Sequence, residues 1–208
     1  MPTLRVLHRF SALVVGLFLA LHLANHFVGL FGQQRHIDFM QVARVLYRYP
    51  VVEALLMALL VWQACSGLVL LARRWKARDG VIAWLQIVSG AYLLAFLINH
   101  VGAVLYGRFA LGLDTDFRFA AAGFHVGSLG IFFAPYYALA IFALFTHVGC
   151  AVYWKIGSTS PLLRKSVLGV FMLVGATAGL LVVLALMGIL YEVDIPDAYK
   201  ATYGALAG

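Results

Sequence analysis

Three histidines of this sequence lie well inside long apolar runs, where an ionisable side chain is costly. They are His22, His100 and His147. Hydrocarbon offers an imidazole no hydrogen bonds, so a histidine at membrane depth implies a partner or a function. These three positions are the first candidates for chemistry.

His22 and His100 share a depth in their runs. Each lies roughly 9 to 14 Å from the C-terminal end of its run, at the helical rise per residue. Two imidazoles at one depth on two helices of a bundle are the arrangement that binds a haem iron from opposite faces. We therefore expect a bis-histidine haem b on His22 and His100. The alternative is that each histidine hydrogen-bonds a carbonyl or a hydroxyl of a neighbouring helix.

His147 occupies a different layer, about 10 Å from the C-terminal end of its own run. The residue at similar depth in the second apolar run is Gln63. Glutamine is not an ordinary haem ligand. We therefore expect one haem rather than two, and a second haem on His147 and Gln63 is doubtful.

The composition makes lipid the solvent for most of the chain. Of the 208 residues, 64% are hydrophobic and 11% are charged, which is more apolar surface than a soluble domain of this size can bury. Five apolar runs reach the length of roughly 20 residues that a membrane helix needs. They cover about 10–31, 51–72, 81–106, 128–154 and 166–191. The sequence predicts an all-α integral membrane protein, a bundle of five transmembrane helices in a single domain over residues 1–208.

The basic residues indicate an orientation. The formal charge of +7 comes from short clusters between the apolar runs, which suits loops at a membrane surface and not a nucleic-acid interface. The N-terminus and the loops after the second and fourth runs hold nine Lys and Arg, against six on the other side. The nine are Arg5, Arg9, Arg73, Arg74, Lys76, Arg78, Lys155, Arg164 and Lys165. The positive-inside rule therefore predicts a cytoplasmic N-terminus and, with five spans, a C-terminus on the opposite side.

Three short motifs carry a resemblance to a known family. They are HRFSA at the start of the first run, FLALHL near its end, and WLQIVSGAYLLAFLINH in the third run. Their order and spacing resemble the cytochrome b membrane-anchor subunit of succinate:quinone oxidoreductases and quinol:fumarate reductases, of the single-chain, five-helix type. The likeness covers the first four runs, and the fifth is matched by position alone.

The resemblance implies ligand roles for particular histidines. His22 and His100 match the family's haem ligands in the first and third helices, and His147 matches its ligand in the fourth. The sequence departs from the family at the second helix, where Gln63 stands four residues before Gly67 in place of a histidine. Gln63 and His147 are thus candidates for a second haem or for a quinone site.

Further polar residues near the membrane surfaces are candidates for contact with quinone or with haem propionates. His8, Arg9 and Ser11 match a His-Arg-x-Ser pattern of the family, and an arginine offers fixed donors to a carboxylate or a quinone oxygen. The alternative for Arg9 is that it snorkels to lipid headgroups. His26 follows His22 by one helical turn and faces the same side, so it could donate to a propionate, take part in quinol deprotonation or replace His22 as the ligand. A last set of interface residues is considered for proton exchange: His36, His125 and Glu53.

The function that the resemblance implies is electron transfer between partner subunits and membrane quinone. The chain contains no GxGxxG motif that opens a strand-helix unit for a flavin dinucleotide, so a flavoprotein subunit and an iron-sulfur subunit would perform the dicarboxylate chemistry. We expect the chain in a bacterial cytoplasmic membrane, as the quinone-reactive subunit of a respiratory enzyme. Two alternatives remain, a haem-free structural anchor and a stand-alone haem b electron carrier.

Overall fold

The chain folds into helices that are joined by short turns. The computed structural model describes residues 2–74 and 79–206, and every regular element in these ranges is an α-helix or a short 3-10 helix. The chain divides into two compact units, residues 1–78 and 79–208. Each unit is described by itself, and the single domain expected over 1–208 stays a prediction.

The first unit contains three α-helices. They are α1 (Pro2–Val28), α2 (Gln33–Tyr47) and α3 (Pro50–Arg74). A 3-10 turn, Gly29–Phe31, extends α1, and Gly32 then adopts a φ of 137°, which is accessible to glycine and ends the turn. The basic residues Lys76 and Arg78, which the orientation argument uses, lie outside the described residues.

The second unit contains the other long helices and several short ones. Its α-helices are α4 (Val81–Phe109), α5 (Phe117–Ala122), α6 (Gly130–Lys155), α7 (Pro161–Leu186) and α8 (Asp197–Lys200). Short 3-10 helices follow α5 and α8. The helix α6 packs along both α4 and α7.

Among the residues that the structure describes, five helices are long and apolar enough to cross a membrane, as the five apolar runs predicted. They cover Thr3–Phe31, Pro50–Arg73, Val81–Phe109, Gly130–Lys155 and Pro161–Leu186. These helices indicate a multi-pass membrane protein. Which side of the membrane holds each terminus is part of the proposal below.

The helix α7 (Pro161–Leu186) starts and ends five residues before the predicted run 166–191. It starts at Pro161, whose fixed φ suits the first helical position, and the Ser160 hydroxyl accepts a hydrogen bond from the Leu163 amide. It ends at Leu186 because Gly188 takes a φ of 74°, as glycine does just past a helix end. The predicted end at residue 191 is five residues too late, because Leu190 and Tyr191 continue the apolar pattern beyond the break.

Residues 33–36, which lie between the first two predicted apolar runs, form the first turn of α2. Its residues His36, Ile37 and Met40 are buried, so this helix is held by packing against α1 rather than by a long apolar run. Polar residues at its start concealed the helix from a search for membrane-length runs. The connection between the first two spans is therefore a structured element.

Small residues let α6 and α7 approach closely. A methyl group added at Gly179 would lie 2.8 Å from the Ala138 carbonyl oxygen, and one added at Gly175 would lie 2.7 Å from the Phe145 Cβ. These two glycines form a Gly-x-x-x-Gly pair, the spacing that lets backbones meet in membrane helices.

Candidate functional site

Two spans carry the same arrangement of a phenylalanine and a histidine. The sequences FLALH and FLINH place Phe18 four residues before His22 and Phe96 four residues before His100, a spacing that puts both rings on one helix face. The Phe18 and His22 rings are stacked with centroids 5.8 Å apart and planes inclined by 19°. The Phe96 and His100 rings are stacked at 5.1 Å and 13°. Each histidine ring thus has one face covered by its own helix.

The two histidines also hold equivalent positions in spans of equal length. His22 is the twentieth residue of the 29-residue span Thr3–Phe31, and His100 is the twentieth of the 29-residue span Val81–Phe109. Both side chains are half-buried. His22 belongs to the first unit and His100 to the second, so their pairing across a haem stays a prediction.

His22 begins a row of three imidazoles in the first unit. The His22 and His26 ring centroids are 4.9 Å apart with the planes nearly perpendicular. The His26 and His36 centroids are 5.1 Å apart, which brings a residue of α2 against the last turns of α1. The sequence analysis named all three residues, and the fold of the first unit brings them together.

The end of this row is held by Asn25, a residue that the sequence analysis did not consider. Its Nδ2 donates to His36 Nε2 at 3.0 Å, and its Oδ1 is buried without a hydrogen bond among the described residues. Gly29 makes room for the imidazole, because an added methyl group would lie 3.0 Å from His36 Cδ2. The His36 ring is therefore fixed between α1 and its own helix.

Burial makes His36 a neutral imidazole. Loss of water is the main cause that lowers the pKa of His36 to about 4, and the positive charge of Arg44 contributes to the shift. His36 is 3% exposed. At neutral pH this side chain therefore accepts the Asn25 hydrogen bond without carrying a charge.

A second cluster of polar side chains joins α1 to α3. It lies near the N-terminal end of α1. Ser11 Oγ donates to Gln63 Oε1 at 2.6 Å, and Gln63 Nε2 lies 3.2 Å from His8 Nε2. Because the amide donates there, His8 carries its proton on Nδ1, which lies 2.7 Å from Ser66 Oγ. The structure thus brings together His8, Ser11 and Gln63, and it adds Ser66. Both the oxygen and the nitrogen of the Gln63 amide take part in this network. The position therefore carries a hydrogen-bonding amide and not an imidazole.

His147 is fixed in the second unit by α4. Its Nδ1 lies 3.0 Å from the Gln86 carbonyl oxygen and 3.3 Å from Ser89 Oγ. Since a carbonyl only accepts, Nδ1 carries the proton and Nε2 keeps its lone pair. Gly90 leaves space for the ring, because an added methyl group would lie 2.9 Å from His147 Cε1. A histidine whose Nδ1–H is held by a carbonyl is oriented as metal-binding histidines are, and it is equally satisfied as a packed core residue.

The remaining predicted residues lie apart from these clusters. Arg9 is exposed, which agrees with contact to headgroups. His125 Nε2 donates to the Leu186 carbonyl oxygen at 2.9 Å, so this histidine holds the last turn of α7. Glu53 is half-buried in the first turn of α3.

The donor set suits haem b better than a compact metal site. Within residues 2–74 and 79–206, no group of three or more His, Cys, Asp or Glu side chains is arranged to hold a metal ion. Axial ligation of haem needs only two imidazoles, and each of the two candidates stands on an apolar helix with an aromatic ring against it. The residues present therefore fit the chemistry of the group.

Comparisons with known proteins find no relative of this chain. No protein family, no curated protein and no solved structure matches it. The functional assignment therefore depends on the residues themselves.

Proposed function

We propose that the chain is a haem b-containing membrane-anchor subunit of a succinate dehydrogenase or fumarate reductase complex, which transfers electrons between an iron-sulfur subunit and membrane quinone. The observation that carries this proposal is the repeated Phe-Leu-x-x-His arrangement at the twentieth residue of two 29-residue spans. Spans that follow one another cross the membrane in alternate directions, so the first and the third run the same way. His22 and His100 then lie at one depth.

In this proposal His22 and His100 would hold the haem iron through their imidazole nitrogens. Phe18 and Phe96 each cover one imidazole face, which limits rotation of the ring and keeps water away from the ligand. When bound, haem b supplies one-electron transfer at a potential that the ligands and the apolar surroundings help to set. His26, edge-on to His22, is placed to hold that imidazole or to donate to a propionate.

The quinone end of the proposal lies at the cluster of His8, Ser11, Gln63 and Ser66. Quinone carbonyls accept hydrogen bonds, and this cluster contains hydroxyl, amide and imidazole donors. With the N-terminus in the cytoplasm, the cluster lies in the cytoplasmic half of the membrane, on the side where an iron-sulfur partner would dock. Arg9 at the same level would offer a charged donor to the quinone or to a lipid phosphate.

The proposal requires partners, because the sequence contains no GxGxxG motif for a flavin dinucleotide. A flavoprotein subunit would oxidise succinate or reduce fumarate, and an iron-sulfur subunit would carry the electrons to the membrane. Both would dock on the cytoplasmic face, to which the more basic loops belong. The complex would reside in a bacterial cytoplasmic membrane.

A second candidate function is that of a membrane anchor without haem. It is favoured by the hydrogen bonds that engage His8, His36, His125 and His147 within the chain. These four of the seven histidines need no cofactor to satisfy them. The two candidates therefore differ in what His22 and His100 do.

The test is the haem content of the purified chain and of three variants, measured as the pyridine haemochrome per protein. We expect about one haem b per chain, lost in His22→Ala and in His100→Ala and kept in His147→Ala, which removes a span histidine of another layer. Two haems per chain would give His147 a ligand role. No haem in a well-folded preparation would exclude the cytochrome and leave the anchor. Flavin and iron-sulfur clusters that co-purify with the chain would distinguish the respiratory complex from a stand-alone haem carrier.

A further inference from the structure

The exposed residues of α2 are polar in its N-terminal half and apolar in its C-terminal half. The helix lies outside the five spans. A helix in contact with water buries apolar residues and exposes polar ones. The first two turns of α2 follow this rule, since their outward residues are polar and exposed. They are Gln34, Arg35, Asp38 and Gln41.

The last turns of α2 reverse the rule. Val42 is 76% exposed, Val45 is 80% exposed and Leu46 is 62% exposed, and all three lie on one side of the helix at the spacing of i, i+3 and i+4. The opposite side, which includes His36 and Met40, is buried against the rest of the first unit. The outward surface of α2 is therefore polar up to Gln41 and apolar from Val42 onward.

After the half-buried Arg48, exposed apolar residues resume and continue into the second span. Tyr49, Val51 and Leu55 are 60%, 59% and 60% exposed. Only two residues separate the end of α2 at Tyr47 from the start of α3 at Pro50, and two residues extend for at most about 7 Å. The last turn of α2 therefore lies close to the start of the second span. A tyrosine at such a junction is typical of the layer where hydrocarbon meets headgroups.

We propose that the C-terminal half of α2 is inserted into the hydrocarbon of one leaflet, where Val42, Val45 and Leu46 contact lipid acyl chains. The first two turns stay among the headgroups and water, so the helix enters the leaflet at an incline. Lipid is the occupant that the structure favours, because this apolar surface lies next to the exposed apolar residues of α3, a helix that is long and apolar enough to cross a membrane. The buried face of α2 is then closed off from water by the bilayer as well as by α1. This inference does not depend on the presence of haem.

The test compares two spin labels on one face of α2. Asp38 and Val45 are seven residues apart, which is about two turns, and both point outward. Asp38→Cys and Val45→Cys would be labelled with a nitroxide in a chain that carries Cys65→Ala, because Cys65 is the exposed native cysteine. The labelled protein would be reconstituted in phosphatidylcholine vesicles, and power saturation would measure collisions with oxygen and with a water-soluble nickel complex.

We expect the Val45 label to collide mainly with oxygen, as a label at Leu55→Cys does within the span, and the Asp38 label to collide mainly with nickel. More nickel than oxygen at Val45 would place this half of α2 in water and overturn the proposal. A Val45 label that is immobilised and reached by neither reagent would show that protein covers the surface, which also overturns it. Val42→Cys repeats the measurement one turn earlier if the Val45 variant does not fold.

Discussion

The ring of Phe96 lies stacked on the imidazole of His100, with centroids 5.1 Å apart and planes inclined by 13°. The same relationship joins Phe18 to His22 in the first span. An offset aromatic pair contributes about 0.5 to 1.5 kcal/mol beyond the area it buries. The stacking therefore limits the orientations that each imidazole adopts, whatever it binds.

Under the proposed function, replacement of Phe96 should weaken the binding of haem while His100 stays in place. In Phe96→Leu the imidazole of His100 loses the stacked face, and we expect haem to transfer to apomyoglobin roughly 2 to 10 times faster, as a loss of that energy requires. Phe18→Leu should behave alike. Phe109→Leu is the control, since its side chain is 75% exposed at the end of the same span. An unchanged transfer rate in both stacked variants would show that the phenyl rings do not support the ligands.

The hydrogen bond between Ser11 and Gln63 is predicted to couple α1 to α3. We expect a coupling energy of about 1 kcal/mol in a double-mutant cycle of Ser11→Ala and Gln63→Leu, since hydrogen bonds between membrane helices lie in this range. Unfolding of the detergent-solubilised chain by sodium dodecyl sulfate would measure it. Ser11→Ala combined with Gln34→Ala is the control pair, because Gln34 bonds Asp38 on the surface. A coupling no larger than that of the control would contradict the network.

A methyl group at Gly90 is predicted to displace His147. Its Cβ would lie 2.9 Å from His147 Cε1 and 3.2 Å from Nδ1, so Gly90→Ala should cost about 1 to 3 kcal/mol of stability. Gly102→Ala in the same helix meets nothing within 4 Å, and there the better helix propensity of alanine should leave stability equal or slightly higher.

The same contact predicts a rescue. His147→Ala removes the ring that the new methyl group meets, so Gly90→Ala should cost much less in that background. Thermal unfolding in detergent would compare the four chains. Equal costs in both backgrounds would mean that the methyl group strains something other than the imidazole.

The neutral state of His36 predicts a loss of stability in mild acid. The folded chain lowers the pKa of this side chain from its ordinary value of 6.5 to about 4, so below pH 6.5 the unfolded chain binds a proton that the folded chain does not. The free energy of unfolding should therefore fall as the pH drops from about 6.5 to about 4, by up to roughly 3 kcal/mol, and stay level above 6.5.

Unfolding titrations of the wild-type chain and of His36→Gln would measure this dependence. Glutamine can accept the Asn25 hydrogen bond but does not titrate, so the variant should show a flatter profile over the same range. A wild-type profile that matches the variant would show that His36 is accessible to protons in the folded chain.

Much of the fold follows from local properties of the sequence. The length of each apolar run predicted the five spans, because a membrane helix must satisfy its own backbone over the thickness of the hydrocarbon. The repeat of FLALH and FLINH also stacks each phenylalanine on its histidine, since residues four apart share a helix face. Phe18 and Phe96 could have been found from this repeat, which the sequence analysis quoted without comparing its two copies.

Other features required the tertiary structure. A one-dimensional pattern does not state how far one helix is rotated or shifted against another, and these two quantities decide which polar side chains meet. The bond from Ser11 to Gln63 and the placement of His147 over Gly90 depend on them. Local sequence properties were enough to predict five helices long and apolar enough to cross a membrane, and where the histidines lie along them. Only packing decided which of them meet, and that α2 is a helix, because its few buried contacts with α1 outweigh the polar residues at its start.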